Sequence, residues 1–440
     1  MLTACQTSST KENPLLTEST LDYQAPDFSK IRPAHFIPAI EEGIRIQLAE
    51  IDSITSNTAA PTFENTVLAY EKSGRLLARA TSILSALVGA DGTEELQKID
   101  EETTPMLSAH HDALLLNEKL FARVKAVYDQ RSSLQGEDLR LTEVLYDQFV
   151  HEGALLSAAD KEALKKINSE IAVLQTKFTN QVNAGTKAAA VLVDRVEDLD
   201  GLSEEAIARA AEAATQAGQK GKYLLEQTNT TRPGYIAELN NRDLRRRVLE
   251  ASLNRCSASD STGTHATITR IAELRATKAK LLGFSSFSAW ALSDQMAQRP
   301  EAVLRLVDQL APACRAKVAE DAAELQAFAQ KTEGKEFKLE AWDWDYYAER
   351  LKKEKFDLNE SDLKPYFVLD SVLENGIFFA ANRLYGLTFK PRPDIPVYAD
   401  GVKVYEVFDK DNTPLALFYT DYFRRPTKTG GAWMSNFVQQ

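Results

Sequence analysis

The chain has 440 residues, of which 44% are hydrophobic and 26% charged, and its formal net charge is −12. This is the composition of an ordinary globular protein that is long enough to bury a large core. The excess of negative charge argues against nucleic acid as a partner, because binding a phosphate backbone requires clustered positive charge. With only 19 glycines and 15 prolines, the chain favours long helices over many short strands.

The first residues include Leu2-Thr3-Ala4-Cys5, which resembles a bacterial lipobox, where a signal is cleaved and the cysteine is lipidated. The polar residues 6–13 that follow are typical of a flexible tether. No apolar segment precedes the motif, so we expect no export on these residues alone. We predict a periplasmic or cell-envelope location with a lipid anchor at Cys5, and the cytoplasm is the alternative. No run of 18 or more apolar residues occurs, so no transmembrane helix is expected.

Helical periodicity dominates the first two-thirds of the chain. After Pro38, an apolar stripe predicts a helix with Ile40, Ile44, Leu48 and Ile51 on one face. Ser157-Ala-Ala-Asp160 matches a capping box and opens a helix whose stripe is Leu164, Ile167, Ile171, Leu174 and Phe178. Pro300 opens a further helix that carries Val303, Leu306 and Leu310. We interpret all three stripes as core.

Further along the chain, three segments give weaker signals. The polar, glycine-containing link Gly218–Lys222 predicts a domain boundary, and the basic run Arg242–Arg247 is interpreted as a solvated helix face. Strand character appears late: Val402–Phe408 and Leu415–Tyr419 flank Asp409–Pro414 and predict a hairpin.

Candidate catalytic residues are sparse. The histidines are His35, His110, His111, His151 and His265. Neighbours on a helix point about 100° apart, so the adjacent pair cannot hold one ion from one face, and we predict no metal site in this chain. No G-x-S-x-G elbow and no glycine-rich phosphate loop occurs. The aromatic run Trp342–Tyr347 fits either a binding surface or a packing patch.

Several segments, in order along nearly the whole chain, resemble the thimet-oligopeptidase family of zinc peptidases, and in particular its bacterial peptidyl-dipeptidases. They are Tyr23–Phe28, Ala34–Ile40, Thr62–Thr66, Leu282–Phe284, Trp342–Asp343 with Tyr346–Tyr347, Asp362–Phe367, Asp394–Tyr398 and Lys428–Met434. The resemblance implies a mainly α, two-lobed helical shell around a peptide channel, with a small β-sheet near residues 395–435. Together with the link at Gly218–Lys222, it divides the chain into a lipobox remnant and polar tether over 1–22, an N-terminal helical lobe over 23–220 and the first part of a peptidase catalytic domain over 221–440.

The resemblance also implies zinc chemistry, with short unfolded peptides as substrates. In this family zinc is held by an H-E-x-x-H helix and a later glutamate, and the motif's glutamate acts as general base. No H-E-x-x-H occurs in the 440 residues, so no catalytic or zinc-binding residue is assigned. We therefore expect an incomplete catalytic lobe, with zinc in the full-length protein and none bound by this chain.

Gly430, Gly431, Ala432 and Trp433 are the candidate substrate-cleft residues. We expect them in a strand of the cleft sheet, because small residues allow close backbone approach; the alternative is a tight turn that only closes the sheet. The predicted function is zinc-dependent release of C-terminal dipeptides from short peptides by the full-length protein, this chain alone being inactive. The alternative is a non-catalytic helical protein that binds peptides or a partner. A lobe lacking its other half should also expose apolar surface.

Overall fold

The computed structural model describes residues 13–357 and 360–438, so Cys5 and its lipobox-like sequence lie outside the described residues. The predicted mainly α class is confirmed: within those ranges helices dominate, and only two small antiparallel sheets accompany them. Among the described helices, none is long and apolar enough to cross a membrane.

The helices follow one another along the whole described chain. They are α1 Phe36–Ser56, α2 Leu68–Glu71, α3 Arg75–Asp91, α4 Glu94–Leu115, α5 Glu118–Asp129, α6 Gly136–His151, α7 Ala158–Ala188, α8 Glu204–Gln216, α9 Arg232–Glu238, α10 Arg242–Leu253, α11 His265–Leu281, α12 Phe287–Leu292, α13 Pro300–Glu333, α14 Trp344–Phe356, α15 Glu360–Leu363, α16 Leu369–Val372 and α17 Phe379–Tyr385. The strands are β1 Val191–Val193, β2 Tyr223–Leu225, β3 Thr388–Pro391, β4 Lys403–Phe408 and β5 Pro414–Thr420.

The chain forms two compact units. Unit 1 comprises the chain up to Thr176, the short stretch Leu281–Gly283 and the chain from Val368 onwards. Unit 2 comprises Lys177–Lys280 and Phe284–Phe367. The predicted boundary at Gly218–Lys222 lies inside unit 2, where it connects α8 to β2, and so does not coincide with a division between these units.

In unit 1, α1 packs against α3 along the predicted stripe. Ile40 and Ile51 are buried, whereas Leu48, further round the helix, is 37% exposed. The approach is close at Gly43, because a Cβ there would lie 2.8 Å from the Cα of Leu77. Glycine is therefore required where these two helices touch.

At the start of α7 the predicted N-cap of Ser157 is confirmed, but the reciprocal bond of a capping box is replaced by one from the Ser157 hydroxyl to Asp160. The backbone N–H of Asp160 donates to Ser157 Oγ over 3.2 Å, and Ser157 Oγ donates to the Asp160 carboxylate over 2.7 Å. Leu164 is fully buried, and the rest of the predicted stripe is half-buried. The local cap thus sets where this long helix begins.

The late hairpin is also confirmed, as β4 and β5 in an antiparallel sheet of order β3-β4-β5. Val404 pairs with Tyr419, and Tyr405 pairs with Phe418. The sheet was expected near residues 395–435. It instead begins at Thr388, and its last strand ends at Thr420. A second sheet, in which β1 pairs with β2, was not predicted from the sequence.

In unit 2, the core prediction for α13 was wrong. Val303, Leu306 and Leu310 are 39%, 57% and 56% exposed. Only the later part of the helix is buried, where Leu325 and Ala329 pack with residues of α14. Periodicity reports an apolar face but does not say whether another element covers it.

The interpretation of the basic run in α10 as a solvated helix face was wrong for Arg245. Arg246 and Arg247 reach solvent, but Arg245 is only 1% exposed. Its guanidinium lies 2.9 Å from the carboxylate of Asp343, which is fully buried. Tyr347 is also buried, against Phe337, so the aromatic run around Asp343 contributes core packing.

Candidate functional site

The predicted cleft segment lies in unit 1, beside the end of α3. Its backbone is tied to that helix by two hydrogen bonds of 2.9 Å, from the N–H of Thr429 to Gly89 O and from the N–H of Gly92 to Thr427 O. Gly430–Trp433 is therefore not a strand, which corrects the expectation from the sequence. The backbone bonds go to the end of a helix, and the φ of +108° at Gly431 breaks any extended run.

Asp421, just after β5, is the polar anchor of this segment. Its carboxylate accepts hydrogen bonds from Tyr398 Oη over 2.9 Å and from the Arg425 guanidinium over 3.0 Å. Lys428 Nζ lies 3.0 Å from the same carboxylate and also donates to the Asp421 carbonyl. These bonds fix both ends of the turn that leads into Gly430–Trp433.

The electrostatics of this anchor follow from burial and from the two cations. Burial acts to raise the pKa of Asp421, but the hydrogen bonds from Arg425, Lys428 and Tyr398 outweigh it and hold the pKa below its usual range. Burial, followed by the bond to Asp421, raises the pKa of Tyr398. The tyrosine therefore stays protonated and continues to donate.

Asp91, at the end of α3, completes the connection. It accepts a hydrogen bond from the Thr427 hydroxyl and lies 3.7 Å from Arg425 Nε. The carboxylates of Asp421, after β5, and Asp91, on α3, therefore both lie near the Arg425 guanidinium. Side-chain and backbone contacts together seat the segment against the helix.

Trp433 stands next to the helix rather than inside the core. Its side chain is 45% exposed, and a Cβ at Gly89 would lie in ordinary contact with the indole ring, 3.5 Å from Cζ2. Beside the indole is a cavity of about 360 Å³. Its helix wall is formed by Thr81, Ser82, Ser85 and Ala86, and its other wall by Trp433, Ser435 and Asn436.

The backbone of Gly430–Trp433 is open to a partner. Within residues 13–357 and 360–438, no backbone hydrogen bond involves the N–H or C=O groups of these four residues. Free N–H groups can donate hydrogen bonds to the backbone of a bound peptide, and free C=O groups can accept them from it. The segment thus combines unpaired backbone, an exposed aromatic side chain and a neighbouring cavity.

The four predicted residues are consecutive in the chain, and the structure places beside them others that the sequence reasoning did not select. Ser82 and Ser85 reach the site from α3, more than 300 positions earlier in the chain. Asp421 and Arg425 were not selected either, because their i, i+4 spacing indicates an ion pair only on a helix and these residues are not helical. No local pattern marks the two serines.

The described residues do not fit a zinc site. No group of three or more histidine, cysteine, aspartate or glutamate side chains placed to hold a metal occurs among them. His110, the buried one of the adjacent pair, is bonded through Nε2 to Gln47 Oε1 over 2.7 Å. Burial, followed by the neighbouring His111, lowers the pKa of His110. That histidine is a packed core residue.

Comparison with known proteins places this geometry in context. Residues 235–440 match the sequence profile of Peptidase family M3. The chain is 44% identical to a dipeptidyl carboxypeptidase of Escherichia coli (strain K12), over 98% of this chain and 63% of the relative. A dipeptidyl carboxypeptidase of Salmonella typhimurium is also 44% identical, over 97% and 63%. Oligopeptidase A of the same species is 28% identical, again over 97% and 63%. The chain therefore spans 63% of the length of these relatives.

Proposed function

We propose that the whole protein is a peptidase of family M3, which cleaves oligopeptides and releases dipeptides from their C-termini. The identity to the two dipeptidyl carboxypeptidases is 44%, against 28% for oligopeptidase A, at similar coverage. This difference favours dipeptide release over internal cleavage. Substrates are short, unfolded peptides.

The observation that carries the proposal is the open segment Gly430–Trp433. Its unpaired backbone N–H and C=O groups are free to hydrogen-bond with the backbone of a peptide that lies against them. Trp433 offers an exposed aromatic face to a neighbouring side chain of the peptide. In this role Asp421, Arg425 and Lys428 are positioning residues, since they hold the segment and do not touch the peptide.

Zinc dependence is part of the proposal, although the residues described here do not form the site. When bound in a peptidase, zinc polarises the scissile carbonyl and lowers the pKa of its water. H-E-x-x-H, the motif that would supply ligands and the general base, does not occur in residues 1–440. We therefore assign peptide positioning to these residues, and we expect a polypeptide of residues 1–440 alone to be catalytically silent.

Expression from the complete reading frame tests this function. The purified protein should contain zinc by elemental analysis and should release the C-terminal dipeptide from a tetrapeptide blocked at its N-terminus. A polypeptide of residues 1–440 serves as the control and should release none. Release of single amino acids, or internal cleavage of longer peptides without dipeptide products, would contradict the proposal.

For location, we propose the cell envelope, with the cytoplasm as the alternative. The proposal rests on Leu2–Cys5 alone, which lies outside the described residues. Radioactive palmitate incorporated into the protein in its native host, and lost on Cys5→Ala, would support it. Absence of label in the parent protein would favour the cytoplasm.

A further inference from the structure

The cavity beside Trp433 has two walls of different origin. One wall is a face of α3, and the other is the irregular segment that carries Gly430–Trp433. Its volume of about 360 Å³ lies at the lower end of the range for small-ligand pockets. A single amino-acid side chain, with the solvent around it, fits a space of this size.

The lining combines apolar surface with neutral polar groups and carries no charge. Hydroxyls come from Thr81, Ser82, Ser85 and Ser435, an amide from Asn436 and an indole N–H from Trp433. Thr81 donates to the carbonyl of Leu77, one turn earlier. In the part of the chain that the structure describes, the side chains of Ser82, Ser85 and Asn436 have no hydrogen-bond partner. Several donors and acceptors are therefore available to a ligand.

The nearest cation does not change this neutral character. Lys428 Nζ lies 5.9 Å from the centre of the Trp433 ring, but it is not part of the lining. Its charge is balanced by Asp421, 3.0 Å away. A charged group that entered the cavity would lose part of its hydration without gaining an ion pair.

Resting on the proposed function, we infer that this cavity is a specificity subsite that accepts an uncharged side chain of the peptide substrate. The peptide backbone runs along Gly430–Trp433, and one side chain projects between Trp433 and α3. Hydroxyl and amide groups in the lining provide hydrogen bonds to polar side chains such as those of Ser, Thr, Asn and Gln. Lysine, arginine, aspartate and glutamate are disfavoured at that one position.

Reversing the charge of the lining tests this inference. Ser85 is exposed on α3 and belongs to the helix wall, so aspartate and lysine are both tolerated there. In the protein from the complete reading frame, kcat/KM is measured for a peptide series with Asn, Lys or Asp at each position in turn. Matched controls are Ser53→Asp and Ser53→Lys, because Ser53 is also an exposed helical serine but lies on α1, outside the lining.

The expected result is a reciprocal change at one peptide position. Ser85→Asp should raise the Lys-to-Asn ratio of kcat/KM there by roughly two- to fivefold, and Ser85→Lys should raise the Asp-to-Asn ratio similarly, as expected for exposed ion pairs. The Ser53 variants should leave both ratios unchanged. If the parent protein cleaves peptides but Ser85 and Ser53 variants behave alike, the subsite is refuted while the peptidase function stands. If the parent protein cleaves no peptide, the proposed function fails, and the subsite with it.

Discussion

Asp343 and Arg245, which are 98 positions apart, form an ion pair from which water is almost wholly excluded. Their closest atoms are 2.9 Å apart, and their side chains are 0% and 2% exposed. Arg242 donates to the same carboxylate over 2.7 Å from a more exposed position. The ring of Tyr346 lies under the Arg245 guanidinium at 3.8 Å. This cluster connects α10 to the start of α14 inside unit 2.

Removing the carboxylate should destabilise unit 2. Asp343→Ala leaves Arg245 buried without its counter-charge, and breaking a buried pair in this way costs about 3–5 kcal/mol. Asp343→Asn keeps the shape and part of the hydrogen bonding, so its loss should be smaller. The free energy of unfolding is measured by tryptophan fluorescence in urea, since Trp342 and Trp344 flank the residue. Equal stability of Asp343→Ala and the parent would contradict a structural role for the pair.

The same pair predicts a pH dependence with a definite sign. Burial acts to raise the pKa of Asp343, but the hydrogen bonds from Arg242 and Arg245 outweigh it and hold the pKa below its usual range. A carboxylate whose folded-state pKa is depressed stabilises the fold above its unfolded pKa, about 3.9, and this contribution is lost as pH falls through the folded pKa.

The stability difference between the parent and Asp343→Asn should therefore be constant from neutral pH down to about pH 5 and should shrink below it. Urea titrations at a series of pH values give this difference directly, and the shared acid sensitivity of other carboxylates cancels. A difference that stays constant throughout the acid range would show that folding does not lower the pKa of Asp343.

A feature of the fold could be predicted from the sequence when the residues that produce it lie close together in the chain. The N-cap at Ser157 and the β4–β5 hairpin were found because each signal lies within a few residues. The burial of Arg245 was missed because its partner is 98 positions away. Strands β1 and β2, with three residues each, are too short to show alternation.

The candidate site shows the same limit. Gly430–Trp433 was selected from the resemblance, yet the strand expected there was wrong because the segment pairs its flanking backbone with the end of α3. Ser82 and Ser85 could not be selected, since serines on a helix are ordinary and only the fold brings them beside Trp433. The sequence therefore pointed to one wall of the site and not to the other.

Substituting Gly431 should affect peptide turnover more than folding. Its φ of +108° is strained for any other residue, whereas a Cβ would meet nothing within 4 Å. In the protein from the complete reading frame, Gly431→Ala should shift the exposed segment and lower kcat/KM for a tetrapeptide by roughly tenfold, which corresponds to about 1.4 kcal/mol. The thermal midpoint should remain nearly that of the parent.

Gly218→Ala is the matched control, since this glycine also has a positive φ, of +76°, with nothing within 4 Å of its Cβ, but lies in unit 2 between α8 and β2. It should leave kcat/KM unchanged. A parallel loss of turnover and stability in Gly431→Ala would favour the alternative in which the segment is only a structural turn.

Arg392 should hold residues 21–24 against the β3-β4-β5 sheet of unit 1. Its guanidinium lies 2.8 Å from Asp22, 2.8 Å from Asp394 and 3.0 Å from Glu406. Tyr23 Oη donates to the same glutamate over 2.8 Å, and burial, followed by that contact, raises the pKa of Tyr23 to about 12. The tyrosine therefore remains a donor at neutral pH.

Arg392→Ala should free residues 21–24 and accelerate their amide hydrogen exchange by roughly tenfold, because the bonds to three carboxylates are lost together. Arg392→Lys should show an intermediate effect, since a lysine is a point charge and cannot bridge three carboxylates in the same way. Exchange within α1 serves as an internal reference. Unchanged exchange at residues 21–24 in Arg392→Ala would show that other contacts hold this segment.

The exposed stripe of α13 should make a polypeptide of residues 1–440 self-associate. Val303, Leu306 and Leu310 present a row of half-exposed apolar side chains, which favours association in water. Leu306→Gln combined with Leu310→Gln should lower the weight-average mass in sedimentation velocity without reducing the free energy of unfolding. Leu325→Ala, on the buried part of the same helix, should instead cost about 2–5 kcal/mol. If the parent polypeptide is monodisperse and monomeric at high concentration, this stripe is not an associating surface, and its exposure has no consequence for solubility.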